Sequence, residues 1–389
     1  MKLIYKLYHK ISITKRLAFM DWLHDLSARS LLVGLVWNKI ILRYHYLIGH
    51  KKGLTLEVTD RCNLKCTYCP KSLDIGVKGS HMDWDIFVKG FEGRIKEGPL
   101  DVVNLVGFGE PFLFPHLEKA VRYIKDYDTL IHVRVTSNGT LLNAEWGGKL
   151  SRAGLDQITI SVNATSAAQY KRINAADLYD RVVKNTTDFL ESVNSAHANM
   201  TVLIQVLDGV NDEVQIQQFK DFWEDKLGQV GAIQVQPFVN WAGQIDGGEI
   251  LDKEDQVRLN DNRAVNLDPK KDIQPKNEAS PFGHDQRVMQ SQAYPCYHLH
   301  KTRIISREGN ALACCMVYPD TQGGLDIGNL NDKTFKELYG KGKIKHLQKL
   351  DKNGELSKVE PCDTCDAWKT VPNIWWRNPL NRWVGPKWM

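Results

Sequence analysis

Short runs of apolar and β-branched residues alternate, from Gly53 onward, with stretches in which apolar positions recur every three or four residues. Strands that alternate with helices in this way indicate βαβ units and a parallel sheet. The apolar runs predict six β-strands, at residues 54–59, 102–106, 130–136, 157–161, 200–206 and 232–238. The stretches between them predict helices at residues 84–96, 116–127, 143–151, 180–193 and 214–226.

The order of these elements limits the fold to an α/β protein with either an open doubly wound sheet or a complete or incomplete barrel. In each of these folds, ligands bind at the carboxyl ends of the strands. Cys62, Cys66 and Cys69 follow the first predicted strand closely. We therefore expect this cysteine-rich stretch at the edge of the sheet where an active site would lie.

Composition agrees with a soluble globular protein. The chain has 389 residues, of which 42% are hydrophobic and 25% are charged, which is enough for two or three cores. Its eight cysteines are too sparse for a disulfide scaffold, and no signal peptide is evident. A cytoplasmic protein that keeps its thiols for metal or chemistry is the better prediction. The apolar run at residues 31–37 is far shorter than the roughly 20 residues that span a bilayer.

The spacing Cys-x3-Cys-x2-Cys at residues 62–69 supplies three thiols where a tetrahedral site needs four ligands. Structural zinc sites close with four protein ligands, usually in two pairs. A [4Fe–4S] cluster with three protein ligands keeps one iron open, and an open iron can bind a cosubstrate. A zinc site or plain structural thiols remain the alternatives from spacing alone.

Further motifs follow the later strands in order: GFGEP at residues 107–111, TSNGT at 136–140 and SVNA at 161–164. Together with the cysteine loop, they resemble the radical S-adenosylmethionine (SAM) superfamily. That resemblance implies a partial (β/α)6 TIM-type barrel and a [4Fe–4S] cluster that is bound by the three cysteines. The structural alternative for GFGEP alone is a tight turn before a helix, and Ser161 and Gln205 could each simply hydrogen-bond to nearby backbone.

The resemblance also implies which residues bind SAM, S-adenosyl-L-methionine. The GFGEP element would meet the amino group of SAM through its backbone and its carboxylate, and Tyr68 would lie beside the adenine. Asn163 stands where family members more often carry Asp. The expected SAM-binding residues are Tyr68, Gly107, Gly109, Glu110, Pro111, Asn138, Ser161, Asn163 and Gln205.

The chemistry that the resemblance implies is reductive cleavage of SAM. One electron, from a donor such as flavodoxin or ferredoxin, would give methionine and a 5′-deoxyadenosyl radical that abstracts a substrate hydrogen. The protein's part is to position the groups and exclude water.

A second cysteine set lies downstream, with DIGNL at residues 326–330 between its members. The pattern resembles the auxiliary-cluster extension called SPASM, in a form with a single cluster. The resemblance implies a second [4Fe–4S] cluster with four thiolate ligands, Cys296, Cys314, Cys362 and Cys365. Zinc also accepts four thiolates and remains the alternative.

Cys315 is not among these four expected ligands, although it could replace its neighbour Cys314 as a ligand. A free cysteine is often a small buried hydrophobe. The sharper hypothesis is that Cys315 donates a hydrogen atom to a substrate radical, as an epimerase requires.

The reaction itself is less determined. A fully ligated second cluster fits oxidation or epimerisation of a small-molecule or sugar-like substrate. Crosslinking, epimerisation or oxidation of a peptide or protein is the alternative. Residues 1–50 are shorter than a leader-binding domain of roughly 80 to 90 residues, which favours the small molecule. A non-catalytic iron–sulfur electron carrier is the alternative of another class.

Five segments are expected along the chain. Residues 1–50 form a basic amphipathic helical extension, 51–240 the barrel, 241–294 a connection or lid, 295–366 the auxiliary-cluster domain and 367–389 a Trp-rich basic tail. The two basic ends could contact an anionic membrane surface or pack on the protein itself.

No nucleic-acid partner is expected, because no recognised binding module is present. Asn240 and Trp241, at the end of the sixth strand, are further candidates for SAM or substrate contacts.

Overall fold

One continuous sheet contains every strand of the described residues, and its first six strands follow the order of the chain. The computed structural model describes residues 52–73, 79–196, 198–208, 211, 213–237, 241, 245, 296–317, 325–353, 355–363 and 365. The strand order is β6-β5-β4-β3-β2-β1-β7-β8-β9. The strands are β1 Gly53–Leu56, β2 Val102–Leu105, β3 His132–Ser137, β4 Gln157–Ser161, β5 Thr201–Asp208, β6 Gly231–Pro237, β7 Thr302–Ile305, β8 Asn310–Leu312 and β9 Asp326–Asn329.

Strands β1 to β6 are parallel and joined by helices, which confirms the predicted partial barrel. The helices of the described residues are α1 Trp84–Ile95, α2 Leu117–Tyr127, α3 Ala144–Ala153, α4 Ala167–Asn174, α5 Tyr179–Ser195, α6 Glu213–Leu227, α7 Tyr297–Lys301, α8 Phe335–Gly340 and α9 Lys343–Lys352. Helix α4 was missed, because it is short and its sequence carries only Ser166 as a start signal. The Ser166 side chain accepts a hydrogen bond from Gln169 N and so caps the first turn.

Strand β1 is shorter than expected, since it ends at Leu56 rather than at residue 59. Beyond Leu56 the chain pairs with a different segment: Met82 N donates to Val58 O at 2.8 Å, and Asp60 N donates to Ser80 O at 3.2 Å. This change of partner turns the chain away from the sheet just before the cysteine loop.

The auxiliary domain joins the barrel through the sheet itself. Strand β7 pairs in parallel with β1, on the side opposite to β2, with Gly53 beside Thr302 and Leu56 beside Ile305. Strands β8 and β9 extend the same sheet in antiparallel fashion. This arrangement was not predicted, because backbone pairing between segments about 250 residues apart leaves no local pattern in the sequence.

The two faces of the barrel sheet differ in polarity. Alternate residues of β1 to β4, such as Leu54, Val103, Val133 and Ile158, are fully buried on one face. Helix α2 presents residues of the same kind, Leu117, Ala120, Val121 and Ile124, at helical spacing. Most of the intervening strand residues are polar, and the register sets four of them side by side in one row, Thr55, Asn104, Arg134 and Gln157. The barrel interior is therefore polar.

A buried guanidinium links the auxiliary domain to the chain that leads into the cysteine loop. Arg307, just beyond β7, has a fully buried side chain and lies 2.9 Å from Asp60 and 3.4 Å from Glu57. Its Nε also donates to Ser80 Oγ at 2.9 Å. Burial raises the pKa of Glu57 to about 7, although hydrogen bonds from Phe108 N and the charge of Arg307 oppose that shift.

Several predicted segments lie outside the described residues: 1–50, nearly all of 241–294, and 367–389. Their predicted roles in membrane contact or as a lid stay predictions. Within the described part of the chain, none of the helices is both long enough and apolar enough to cross a bilayer.

We expect Arg307→Met to lower the free energy of unfolding by about 3–5 kcal/mol, because it leaves buried carboxylates without their cation. The matched control is Arg122→Met, which removes an exposed i,i+4 pair with Glu118 and should cost at most about 0.5 kcal/mol. Urea unfolding followed by circular dichroism measures both. Equal losses in the two variants would show that the buried cluster does not stabilise the fold.

Candidate active site and cluster-binding loops

The cysteine loop is held between the carboxyl edge of the sheet and the end of α4. Thr67 N donates to Ile173 O at 2.9 Å, and Cys69 N donates to Cys66 O at 3.1 Å. Cys66 Sγ lies 3.2 Å from Asn174 Oδ1, the last residue of α4. Cys62, Cys66 and Cys69 are therefore brought together as predicted, on a loop whose backbone is anchored at both the sheet and the helix.

The charge behaviour of these thiols tests whether they fit an iron–sulfur cluster. Burial raises the pKa of Cys66 to about 12, and the neighbouring Cys69 and Cys62 sulfurs raise it in the same direction. Burial likewise raises the pKa of Cys69 to about 11, with Cys62 again contributing. A coordinating thiol is deprotonated outright by the metal, so bound iron would offset this penalty. The donor set therefore fits the cluster that the motif predicts.

Close backbone approach explains the glycines of GFGEP. A Cβ atom on Gly109 would lie 2.3 Å from Thr59 O and 2.6 Å from Arg61 O, so any larger residue would force the two loops apart. A Cβ on Gly107 would lie 2.3 Å from Glu57 Cγ. The element is therefore packed directly against the chain that enters the cysteine loop.

Glu110 connects this element to the TSNGT motif. Its buried carboxylate accepts hydrogen bonds from Ser137 Oγ at 2.9 Å, from Asn138 N at 2.7 Å and from Phe112 N at 3.2 Å. Burial raises the pKa of Glu110 to about 7 despite these bonds. Pro111, which follows, starts a short 3₁₀ turn and is buried. A buried carboxylate of this kind is a good partner for an ammonium group.

Asn138 reaches from TSNGT to the cysteine loop. Its Nδ2 donates to Asn63 Oδ1 at 2.9 Å and lies 3.8 Å from Cys62 Sγ, while its Oδ1 accepts from Thr140 N at 3.0 Å. Glu110 and Cys62 are thus connected through one residue, by its backbone N on one side and its side chain on the other. The TSNGT motif therefore lies beside the cysteine loop.

A chain of polar side chains joins the cysteine loop to strands β4 and β5. Asn163 Nδ2 donates to Tyr68 OH at 2.9 Å, and Gln205 Nε2 donates to Asn163 Oδ1 at 3.3 Å. Gln205 Nε2 is also 3.4 Å from Ser161 Oγ. Asn163 has φ 60°, a left-handed conformation that Asn tolerates better than most residues. Tyr68, Ser161, Asn163 and Gln205, predicted separately, form one network.

Trp241 also contacts the loop, because its Nε1 donates to Tyr68 O at 2.9 Å and its ring lies 5.6 Å from that of Phe108. Asn240 lies outside the described residues.

Below this network the barrel holds a polar cavity of about 250 Å³. Nearly all of its lining side chains carry amide, hydroxyl or guanidinium groups: Asn104, Arg134, Thr136, Gln157, Thr159, Gln205, Gln234 and Gln236, with Val106. Gln205 belongs to both the cavity and the Tyr68 network, so the cavity adjoins the loop. Arg134 was missed by the sequence reasoning, although a charged residue that alternates with Val133 and Val135 inside a strand is a readable signal.

The second cysteine set also converges. Cys296, Cys314, Cys362 and Cys365 line a single cavity whose other walls are mainly aliphatic, with Leu299, Leu325, Leu347 and Leu356 among them. Burial raises the pKa of Cys362 to about 12, with Cys314 and Cys365 as the next causes. Asp351 on α9 orients this set, because it accepts a hydrogen bond from Cys296 N at 2.9 Å. Four thiols around one dry cavity fit a fully ligated cluster.

Cys315 lies beside this cavity but is not one of its lining residues. Its Sγ lies 3.3 Å from His298 Nδ1, which belongs to the cavity wall, and it hydrogen-bonds to Cys314. Cys314 lines the second cavity, and Met316 N donates to its Sγ at 3.3 Å. The geometry therefore favours Cys314 over Cys315 as the ligand. The hydrogen-donor role of Cys315 stays a prediction.

Among the described residues no group of three or more Cys, His, Asp or Glu is arranged to bind a single metal ion. A four-iron cluster has a different requirement, because each thiolate binds a different iron.

The fold and site define a partial α/β barrel with a cysteine loop at its carboxyl edge and, in the domain that follows, a second cavity lined by four thiols. The family model of the radical SAM superfamily matches residues 56–219, and that of the SPASM iron–sulfur cluster-binding domain matches residues 296–366. The chain belongs to the radical SAM superfamily and carries a C-terminal SPASM domain. This membership confirms the cofactors expected from the motifs: a [4Fe–4S] cluster, SAM and auxiliary iron–sulfur binding.

Curated relatives resemble the chain over different lengths. A tungsten-containing aldehyde ferredoxin oxidoreductase cofactor-modifying protein of Pyrococcus furiosus is 23% identical and covers 84% of this chain and 92% of its own. A GTP 3′,8-cyclase of Staphylococcus saprophyticus is 26% identical over 74% of this chain and 85% of its own. A probable GTP 3′,8-cyclase of Methanococcus maripaludis is 34% identical, but the match spans only 46% of that relative, less than half its length.

Solved structures share the fold at low identity. SuiB of Streptococcus suis, bound to its precursor peptide SuiA, has a TM-score of 0.54 at 16% identity and covers 84% of this chain and 72% of its own. The AdoMet-bound anSMEcpe has a TM-score of 0.52 at 18% identity, over 82% of this chain and 84% of its own.

The adjacent pair Cys314 and Cys315 offers a matched test of the auxiliary site. After anaerobic reconstitution we expect about eight irons per chain, as two [4Fe–4S] clusters require. Cys314→Ala should retain about four, because one of four ligands is lost, whereas Cys315→Ala should retain about eight. Iron and acid-labile sulfide assays measure both variants. The opposite result would make Cys315 the ligand.

Proposed function

We propose that the protein cleaves SAM reductively and applies the resulting radical to a small polar molecule in the barrel cavity, by oxidation or epimerisation. When bound, the cluster and SAM would supply the 5′-deoxyadenosyl radical. The observation that carries the proposal is the polar cavity of about 250 Å³, whose wall shares Gln205 with the network at the cysteine loop.

The size and lining of this cavity favour a small, hydrogen-bonding substrate. Pockets for drug-sized ligands measure about 300–1,000 Å³ and are mostly apolar, so this cavity is small and unusually polar. Amide and hydroxyl groups can pair with the hydroxyls of a sugar-like molecule, and Arg134 can pair with a carboxylate or phosphate. An apolar substrate could form none of these hydrogen bonds.

Different residues around the loop would bind different groups of SAM. Glu110 is suited to its ammonium group, because it is a buried carboxylate next to Cys62 through Asn138. Ser161, at the end of β4, and Gln205, beside it within β5, can donate to its carboxylate and ribose. Tyr68 presents an aromatic ring beside the loop, with its hydroxyl held by Asn163.

Two relatives support a small-molecule substrate. The proteins that match across most of their own length are named for action on a cofactor and on GTP. The electron donor would be a flavodoxin or ferredoxin. Peptide modification is the alternative, and SuiB, with its peptide, shows that a protein of similar fold can hold one.

The proposal predicts that anaerobically reconstituted protein forms 5′-deoxyadenosine from SAM when dithionite is added. Cys66→Ala should abolish the product, because the loop then lacks one of its three ligands. Liquid chromatography with mass spectrometry measures the product. A wild-type protein with both clusters loaded and no 5′-deoxyadenosine would instead indicate an electron carrier.

A second experiment separates a small substrate from a peptide. Candidate sugars, sugar phosphates and peptides are screened for stimulation of 5′-deoxyadenosine formation. For a stimulating anionic small molecule, Arg134→Met should raise the half-saturating concentration about tenfold or more, since a charge-assisted hydrogen bond contributes about 1.5–3 kcal/mol. Formation without substrate should not change.

The control for this variant is Arg152→Met, which removes an exposed arginine on α3 and should leave the half-saturating concentration unchanged. Stimulation by peptides alone would replace the proposed substrate class with the alternative.

A further inference from the structure

Asn174 is a buried carboxamide with a free donor end, at the point where α4 meets the cysteine loop. Its side chain is 1% exposed, and its Nδ2 has no hydrogen-bond partner among the described residues. Its Oδ1, in contrast, is shared by two donors: Tyr68 OH at 3.0 Å and Cys66 Sγ at 3.2 Å. A buried donor without a partner costs about 1–3 kcal/mol, so this orientation is unfavourable.

The arrangement changes when Cys66 binds iron. A cysteine that ligates a metal is a thiolate and has no hydrogen to donate. Asn174 Oδ1 would then face an anionic sulfur, and the two would repel each other. A half-turn of the carboxamide exchanges its oxygen and nitrogen without a change of shape. The same rotation removes the buried orphan donor and directs an N–H group at Cys66 Sγ.

We propose that Asn174 donates an N–H···S hydrogen bond to the Cys66 thiolate and thereby raises the reduction potential of the SAM-site cluster. This rests on the proposed function, because it takes Cys66 as a cluster ligand. Hydrogen bonds to the sulfurs are among the determinants of cluster potential. The donor favours the reduced state, since that state places more negative charge on the sulfurs.

The surrounding contacts hold Asn174 in range of this sulfur. Thr67, next to Cys66, binds Ile173 O through both its backbone N and its hydroxyl, at 2.9 Å and 3.1 Å. Tyr68 OH accepts from Asn163 Nδ2 at 2.9 Å and can also accept the second hydrogen of the Asn174 amide. The two residues that follow Cys66 therefore tie the loop to the end of α4.

The test is a potentiometric titration of the reconstituted full chain without SAM, followed by electron paramagnetic resonance. In Asn174→Leu we expect the midpoint potential of the SAM-site cluster to fall by about 59 mV, which is a tenfold change in a one-electron equilibrium constant. Asn174→Asp has the same shape, offers no donor and adds negative charge, so its potential should fall further. The auxiliary cluster is the internal reference and should not shift.

Asn194→Leu is the control for the loss of an amide, because Asn194 Nδ2 donates to Leu227 O, away from the cysteine loop. Its SAM-site potential should equal that of the wild type. A loaded cluster with unchanged potential in both Asn174 variants overturns the inference. So does failure of both folded variants to load the cluster, because a tuning contact leaves the three thiolates in place. A wild-type protein that loads no SAM-site cluster would overturn the proposed function itself.

Discussion

The parallel pairing of β1 with β2 on one side and β7 on the other is the constraint on which the rest of the structure depends. It places the end of β1, and hence the cysteine loop, between the barrel and the auxiliary domain. Arg307 follows β7 and meets Glu57 and Asp60, which follow β1, so the same pairing brings the three buried charges together. The two domains are thus one structural unit at this point.

In both cysteine sets, burial and neighbouring thiols raise the free energy of ionising each thiol, but the residues around the two sets differ. Thiols that are close together and buried resist ionisation, and bound iron removes that penalty. At the first set the neighbours are amides and hydroxyls, from Asn138, Asn174 and Tyr68. At the second set the walls are mainly aliphatic and four thiols close around one cavity. A hydrogen-bonded site with three thiols fits ligand exchange, and a dry site with four fits electron transfer.

The interior of the barrel is polar and internally hydrogen-bonded. In the row formed by Thr55, Asn104, Arg134 and Gln157, Asn104 Nδ2 donates to Thr55 Oγ1 at 3.3 Å. Buried polar groups need such partners, and a polar ligand can supply further ones. Gln205 belongs to the cavity wall and donates to Asn163, which donates to Tyr68 OH, so the cavity is linked to Tyr68 through two side chains.

The sequence by itself determined the order of β1 to β6 and of the helices α1, α2, α3, α5 and α6, and it located both cysteine sets, because each depends on local spacing. Glu110, Asn138 and Asn163 could be named because they lie in GFGEP, TSNGT and SVNA, which resemble motifs of the radical SAM superfamily. Only the tertiary structure decided that β7 pairs with β1, that Arg307 forms an ion pair with Glu57, and that the Asn174 side chain contacts Cys66 Sγ. These contacts join residues about 100 to 250 positions apart. They arise from how the elements pack in space, and no local pattern of residues records that packing.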